Sequence, residues 1–335
     1  MTKMLERKPA TVLKEAVANR RALIRHRLFW PVVALVVLLA TTPGIYRIGI
    51  RGGHLYGSII DILLYGSPLL LVALGMTLVI ATGGIDLSVG AVIAIAGAVA
   101  CTQIASGIPF VVAVTTALVI AIVLGLWNGT LVALLGIQPI VATLILMVAG
   151  RGIAQLITSA QIVTINNGAY KFISGFWLGL PFSILVVAIV IAATASVTRG
   201  TALGLLIESV GGNAEASRLV GIRARQLKIM AYAFCGLCAG IAGLMISSNI
   251  SAADSNNAGL WIELDAILAV VIGGTSLLGG RFSLAGTVIG ALIIQTLTTT
   301  IYTLGVPPQT TLVVKALVVI AVFLLQAPRW REARS

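Results

Sequence analysis

The sequence predicts an all-α, polytopic membrane bundle of about ten transmembrane helices. Three observations predict it. Of 335 residues, 59% are hydrophobic and 10% are charged, whereas a soluble domain carries about 25% charged residues. So little charge cannot cover a water-facing surface, which excludes a cytosolic enzyme, a secreted disulfide scaffold and a disordered chain. The charges are also segregated: Leu87 to Gly150, Ile229 to Ala253, Ala266 to Gly280 and Phe282 to Val314 contain no Asp, Glu, Lys or Arg. These apolar runs are long and continuous, whereas a β-barrel shows short alternating segments.

The predicted spans are 28–45, 60–82, 86–105, 109–134, 139–159, 181–198, 227–248, 262–280, 284–304 and 309–327. Gly and Pro punctuate them at Gly107-Ile108-Pro109, Gly136-Ile137-Gln138-Pro139, Leu180-Pro181 and Pro307-Pro308. If 86–105 or 262–280 is re-entrant, the count falls to about eight or nine. The chain then divides into a basic cytoplasmic leader, 1–27, a transmembrane domain, 28–327, with a polar loop at 199–226, and a cytoplasmic tail, 328–335. The leader is longer than the basic region of a signal peptide and no small-residue cleavage site follows it, so no cleaved signal is expected.

The net charge is +12. In a soluble domain this would suggest nucleic acid; here it follows the positive-inside rule, and no nucleic-acid partner is expected. With the N-terminus in the cytoplasm, most of the 22 Lys and Arg residues fall on the cytoplasmic side, including Arg199, Arg218, Arg223, Arg225, Lys228 and Arg281. Only Arg47, Arg51 and Lys171 fall outside, while Arg151 and Lys315 lie within spans. This asymmetry predicts an even number of spans with both termini cytoplasmic.

Cys235 and Cys238 form a CxxC, but it sits in an apolar helix with no His nearby, so small packing residues are expected. The sequon Asn128-Gly129-Thr130 is flanked by apolar sequence and is placed in the membrane. Gly125/Gly129, Gly236/Gly240 and Gly286/Gly290 form small-xxx-small faces that let helices approach closely. With 36 glycines in the chain, single matches arise by chance; together they predict tight packing. Residues 75–105 and 265–294 share a pattern: an apolar run ending in Gly-Gly (Gly83-Gly84 and Gly273-Gly274), a polar break, then another apolar run. This points to a five-helix internal repeat and a transport pathway.

No HExxH, nucleophile elbow or GxxxxGK[ST] phosphate loop is present, so neither catalysis nor ATP hydrolysis by this chain is expected, and no cofactor or metal. The longest internal polar segment runs from Arg199 to Lys228 and contains Glu208, Gly211, Gly212 and Asn213. Within it Ala214-Glu215-Ala216-Ser217-Arg218-Leu219-Val220 reads as a short helix, with Asn213 as N-cap and Gly221 as the stop. It is either a solvated loop or a docking helix for a cytoplasmic partner. Asp86 and Ser88, after Gly83-Gly84, read either as an N-cap or as a hinge at a broken helix. Glu263 and Asp265 open the 262–280 segment as N-terminal helix charges or as part of a path. Arg151, mid-span, requires a partner, carbonyls or water. Asn128, Gln155, Thr158, Gln161 and Gln295 supply hydrogen-bonding groups for a pathway or for helix–helix contacts.

At these residues the chain resembles a family. Gly83 to Gly90, Val210 to Ile222 and Glu263 to Gly280 are similar, in that order, to the strong blocks of permease subunits of bacterial ABC sugar importers of the ribose/galactose type. The resemblance covers roughly 55–327. Ala142 to Gly152 and Asn256 to Trp261 most resemble galactofuranose-type members; the segment 160–180 is unmatched. The resemblance implies a non-catalytic inner-membrane subunit that moves a monosaccharide by alternating access. It implies a cytoplasmic ATP-binding subunit docked on 213–222, a periplasmic sugar-binding protein on the outer loops, and a second permease subunit, identical or paralogous, all in contact with membrane lipid. The competing readings are an ion-coupled secondary transporter, which needs an intramembrane ionisable relay, and an ABC permease for a branched-chain amino acid or a signalling furanose.

Overall fold

The computed structural model describes residues 29–41, 47–305, 310, 312–317 and 320. The predicted leader 1–27 and tail 328–335 lie outside the described residues, as does most of the predicted span 309–327. The described chain is helical, with three short two-stranded pairs. Its elements are α1 Phe29–Thr41, a hairpin of β1 Gly49–Arg51 and β2 His54–Tyr56, α2 Ser58–Ala81, α3 Val89–Ala105, α4 Phe110–Ala133, α5 Pro139–Ile157, β3 Val163–Thr164, α6 Gly168–Lys171, β4 Phe176–Trp177, β5 Leu180–Pro181, α7 Phe182–Gly200, α8 Leu203–Gly212, α9 Ala214–Leu219, α10 Ala224–Ile250, β6 Ala252–Ala253, α11 Ile262–Ile272 and α12 Leu284–Thr303.

Helices α2 and α3 form the centre. From Gly66 to Ala81, and from Val89 to Cys101, every residue is buried. A helix apolar on all sides must be covered on all sides, and here α10 covers both while α12 lies along α2 and α5 along α3. The outer helices bury one stripe each. In α4 it is Ala113, Ala117, Ala121, Gly125 and Asn128; in α5 it is Ala142, Leu146, Gly150 and Ala154. The i, i+4 spacing puts each stripe on one face. The large apolar residues Val111, Val119, Trp127, Ile145 and Val148 point outward, because hydrocarbon leaves no reason to hide them and close packing requires small residues inside.

The predicted glycine faces are where helices cross. A Cβ on Gly125 would meet the Tyr232 backbone, and one on Gly236 the Ala121 carbonyl oxygen, so α4 and α10 touch backbone to backbone. Gly286 packs on Gly273, and Gly290 on Ala269, joining α12 to α11. Cys101, Cys235 and Cys238 are buried free thiols.

Six described helices are long and apolar enough to cross a membrane: α2, α4, α5, α7, α10 and α12. Two predicted spans are corrected. The 262–280 segment is helical only as α11, 11 residues, about 17 Å at 1.5 Å per residue and half of a roughly 30 Å hydrocarbon core. The helix stops at Gly273 because Gly274 turns the chain at φ 85° and the Gly274 and Thr275 N–H groups bond back to the Val271 and Val270 carbonyls; Gly273 itself packs on Gly286. The 86–105 segment becomes a helix only at Val89 and has 17 residues, because 82–88 is turn and loop. The predicted polar loop 199–226 is also more ordered than expected, with α8 preceding α9.

Candidate functional site

The first break, residues 82–88, is held by a buried polar cluster. Gly83 turns the chain at φ 80°, a conformation that favours glycine. Ser88 stands at the N-cap position of α3 but its side chain does not cap. Instead Asp86 Oδ1 accepts from the Ser88 N–H at 2.9 Å and from the Ser88 hydroxyl at 2.6 Å. Asn128 Nδ2, from α4, donates to Ser88 Oγ at 2.8 Å and approaches Asp86 Oδ1 at 3.5 Å. Tyr232, from α10, donates its hydroxyl to the Ile85 carbonyl at 3.3 Å, and that hydroxyl lies against Gly84. Asp86, Ser88, Asn128 and Tyr232 are all buried. The break is thus fastened to α4 and α10 rather than left free. Tyr232 was not singled out by sequence, since an aromatic residue in an apolar run looks like ordinary core.

The second break runs from Gly273 to Ser283. Ser283 caps α12 by accepting from Gly286 N, and its own N–H reaches Thr275 Oγ1 at 3.3 Å. The two breaks meet: the Gly280 N–H donates to the Ala81 carbonyl at 3.0 Å. A buried hydrogen bond of 2.7 Å between Thr77 and Thr287 also ties α2 to α12.

A third group surrounds Arg151. Its guanidinium donates to the carbonyls of Ser255 at 3.1 Å and Ala258 at 2.7 Å. Glu263 is 5% exposed, and its carboxylate and the Arg151 guanidinium flank Gly90, where a Cβ would lie 2.7 Å from Glu263 Oε2 and 3.6 Å from Arg151 Nη2. Gln155 donates to Asn256 Oδ1 at 2.8 Å, and Thr158 and Ser255 share a hydrogen bond of 2.9 Å. The segment 254–261 therefore dips into the bundle. A Cβ on Gly259 would touch Ile93, which packs on Gly243, roughly 10 Å back along α10 from its end at 1.5 Å per residue. Non-helical backbone at that depth needs its carbonyls satisfied by protein, and Arg151 does this. Asp254 sits at the mouth of the dip. Hydrogen bonds from the Asn257 side chain and from the backbone N–H groups of Asn257 and Asn256, with the Arg151 charge, hold its carboxyl below the ordinary carboxylate value against its partial burial.

The remaining predicted residues are separate from these groups. Asp265 pairs with Lys315 at 2.7 Å, joining α11 to the helical residues 312–317. Asn213 caps α9, accepting from Ala216 N at 2.9 Å, and Gly221, at φ 86°, ends the turn. Glu215 and Arg218 pair at 2.8 Å on the surface. Ser217 is buried, Leu219 is 79% exposed, and Ala216 and Gly274 are backbone partners in their turns. The short capped helix α9 thus ends on an exposed leucine, while the two breaks and the dipping loop interrupt the helices of the bundle.

Comparison with known proteins places this architecture. Residues 58–323 match the family described as "Branched-chain amino acid transport system / permease component". The chain is 50% identical to the galactofuranose transporter permease protein of Escherichia coli (strain K12), covering 91% of this chain and 93% of that one. It is 41% identical to the fructose import permease protein of Bifidobacterium longum (strain NCC 2705), covering 92% and 90%. It is 37% identical to the ribose import permease protein of Escherichia coli (strain K12), covering 88% and 91%. No solved structure gives a significant match. The chain, a polytopic membrane protein with interrupted central helices, belongs to the branched-chain amino acid transport system / permease component family.

Proposed function

We propose that the chain is the permease subunit of an ATP-driven importer that carries a monosaccharide, galactofuranose-, galactose- or ribose-like, across the bacterial inner membrane by alternating access. The observation that carries this is the 50% identity over nearly the whole chain to a galactofuranose transporter permease protein, supported by fructose and ribose import permeases. The geometry supports the same reading. A neutral polyhydroxylated solute needs hydrogen-bonding groups more than charges, and Gln155 and Asn256 lie together at the mouth of the dipping loop. Ten crossings result when the six long helices are joined by α1, α3, the 309–327 segment and the dipping loop with α11, which together cross once; this even number leaves both termini cytoplasmic by the positive-inside rule. The paired units α2–α3 and α11–α12, each a helix, a glycine break and a helix, are the centres of a five-helix repeat.

In this reading a separate ATP-binding subunit docks on Asn213 to Gly221 and supplies the hydrolysis. A periplasmic sugar-binding protein docks at the opposite end, and a second permease subunit completes the path. Thousandfold accumulation costs about 4 kcal/mol, within reach of a hydrolysing partner. An ion-coupled transporter is disfavoured because Asp86 is bonded to Ser88 and Asp265 to Lys315, and the buried Glu263 lies near the Arg151 charge across Gly90. The family description favours a second cargo, a branched-chain amino acid.

The experiment is uptake into proteoliposomes holding this chain with its ATP-binding subunit and binding protein, with and without internal ATP. Galactose, ribose and leucine are offered as cargo. ATP-dependent sugar uptake that is lost in Glu215→Ala and Arg218→Ala supports the proposal. Uptake of leucine in preference to sugar gives the second cargo, and ATP-independent uptake driven by an imposed ion gradient overturns the mechanism.

A further inference from the structure

We infer that the meeting point of Ala81, Gly211 and Gly280 is a rigid relay that passes displacement of α9 to both breaks in the bundle. The inference rests on the reading of α9 as the docking helix. Three backbones meet here with no side chain between them. The Gly280 N–H is bonded to the Ala81 carbonyl. A Cβ on Gly211 would overlap that same carbonyl oxygen and the Gly280 nitrogen. A Cβ on Gly279 would lie 2.8 Å from the Gly211 carbonyl oxygen and 3.0 Å from Gly83 Cα. One turn earlier on α8, Glu208 accepts from the Phe282 N–H at 3.4 Å.

Gly211 is two residues from Asn213, which caps α9. The end of α8 is therefore clamped between the end of α2 and the second break, immediately beside the docking helix. The rest of α8 packs on one face through Gly204, Ile207 and Val210, and α9 through Ser217, while Leu205 and Leu219 face outward, 70% and 79% exposed. A side-chain contact absorbs a small displacement by changing rotamer. A backbone-to-backbone contact has no such freedom, and close-packed interiors transmit strain. A shift of α9 must then move Gly280 and Ala81 together, and with them the glycine turns at 83 and 279.

The test measures sugar uptake and ATP hydrolysis in the same proteoliposomes containing the complete importer. In Gly211→Ala the extra methyl separates Gly280 from Ala81. The expected result is that the ATP-binding subunit still docks and hydrolyses while uptake per ATP falls about tenfold. Glu208→Ala removes the clamp on Phe282 and lowers the ratio by about fivefold, whereas Glu208→Gln keeps an acceptor oxygen and restores it. A merely structural role would lower uptake and hydrolysis together and leave the ratio unchanged; that result overturns the relay. If Gly211→Ala does not assemble, the Glu208 pair decides, and equal ratios in Glu208→Ala and wild type overturn the inference. Failure of the underlying reading is separate: there, Glu215→Ala and Arg218→Ala leave docking and uptake intact.

Discussion

Arg151 shows how one charge makes a local irregularity stable. Its two carbonyl bonds and the nearby Glu263 carboxylate replace the water that a guanidinium would otherwise keep. Replacing it by Met keeps the bulk but strands two carbonyls and removes the positive charge near Glu263, which costs about 1–3 kcal/mol. Thermal unfolding in detergent is expected to show this loss, with the Arg151→Met, Glu263→Gln double variant less destabilised than the single changes add up to. Asp254 gives a pH prediction. Its carboxyl is held below the ordinary 3.8, so its contribution is fully present above that value and is lost as pH falls through the depressed one. With Glu263→Gln in place, so that this neighbouring carboxyl does not titrate, a fluorophore on Leu260→Cys should report an unchanged loop from neutral pH down to about 5 and a transition only below 3.8. A midpoint near 6 would contradict the assignment, and Asp254→Asn should abolish the transition.

At the scale of elements, helix contacts are set by size rather than by hydrophobicity. Lipid is as apolar as leucine, so α4 and α10 gain from proximity, and Gly125, Gly129, Gly236 and Gly240 permit it. Gly236→Val should press a branched side chain into the Ala121 carbonyl and cost about 1–3 kcal/mol, read as a lower unfolding midpoint in detergent. Val197→Ala, on an exposed face of α7, should leave the midpoint almost unchanged. These faces were legible in the sequence as small-xxx-small spacings. What faced them was not: Gly125 meets Tyr232 and Gly273 meets Gly286, and a spacing motif carries no address for its partner. The α9 helix was legible to within a residue because its signals, Asn213 and Gly221, act within one turn. The length of α11 was misjudged because the predicted span was carried through the Gly273-Gly274 break to Gly280, although Gly274, at φ 85°, closes the helix with N–H bonds from Gly274 to Val271 and from Thr275 to Val270, a stop signal that was present in the sequence.

Over the whole molecule, α2 and α3 are enclosed and the other helices are laid around them. The interruptions do not lie at random. The glycine turns after α2 and before α12 share the Ala81–Gly280 bond, while the dipping loop reaches the first turn of α3 at Gly90. One end of α3 thus lies beside both the buried Asp86 cluster and the Arg151 group. The Asp265–Lys315 pair, 11% and 23% exposed at Lys315 and Asp265, pins α11 from the other side.

The membrane class, the segregation of charge and the capped α9 helix were determined by the sequence itself. Hydropathy over a span and capping over one turn are local energies, summed along a contiguous segment. The tertiary structure alone decided what satisfies Arg151, which partner Asp265 takes, how the two breaks join, and that 254–261 enters the bundle. Each of these depends on residues far apart in the chain, such as Arg151 and Ala258, 107 positions apart. In an apolar medium almost any helix face tolerates almost any other, so the choice among them is made by close backbone approach and by the few buried polar groups that must find partners.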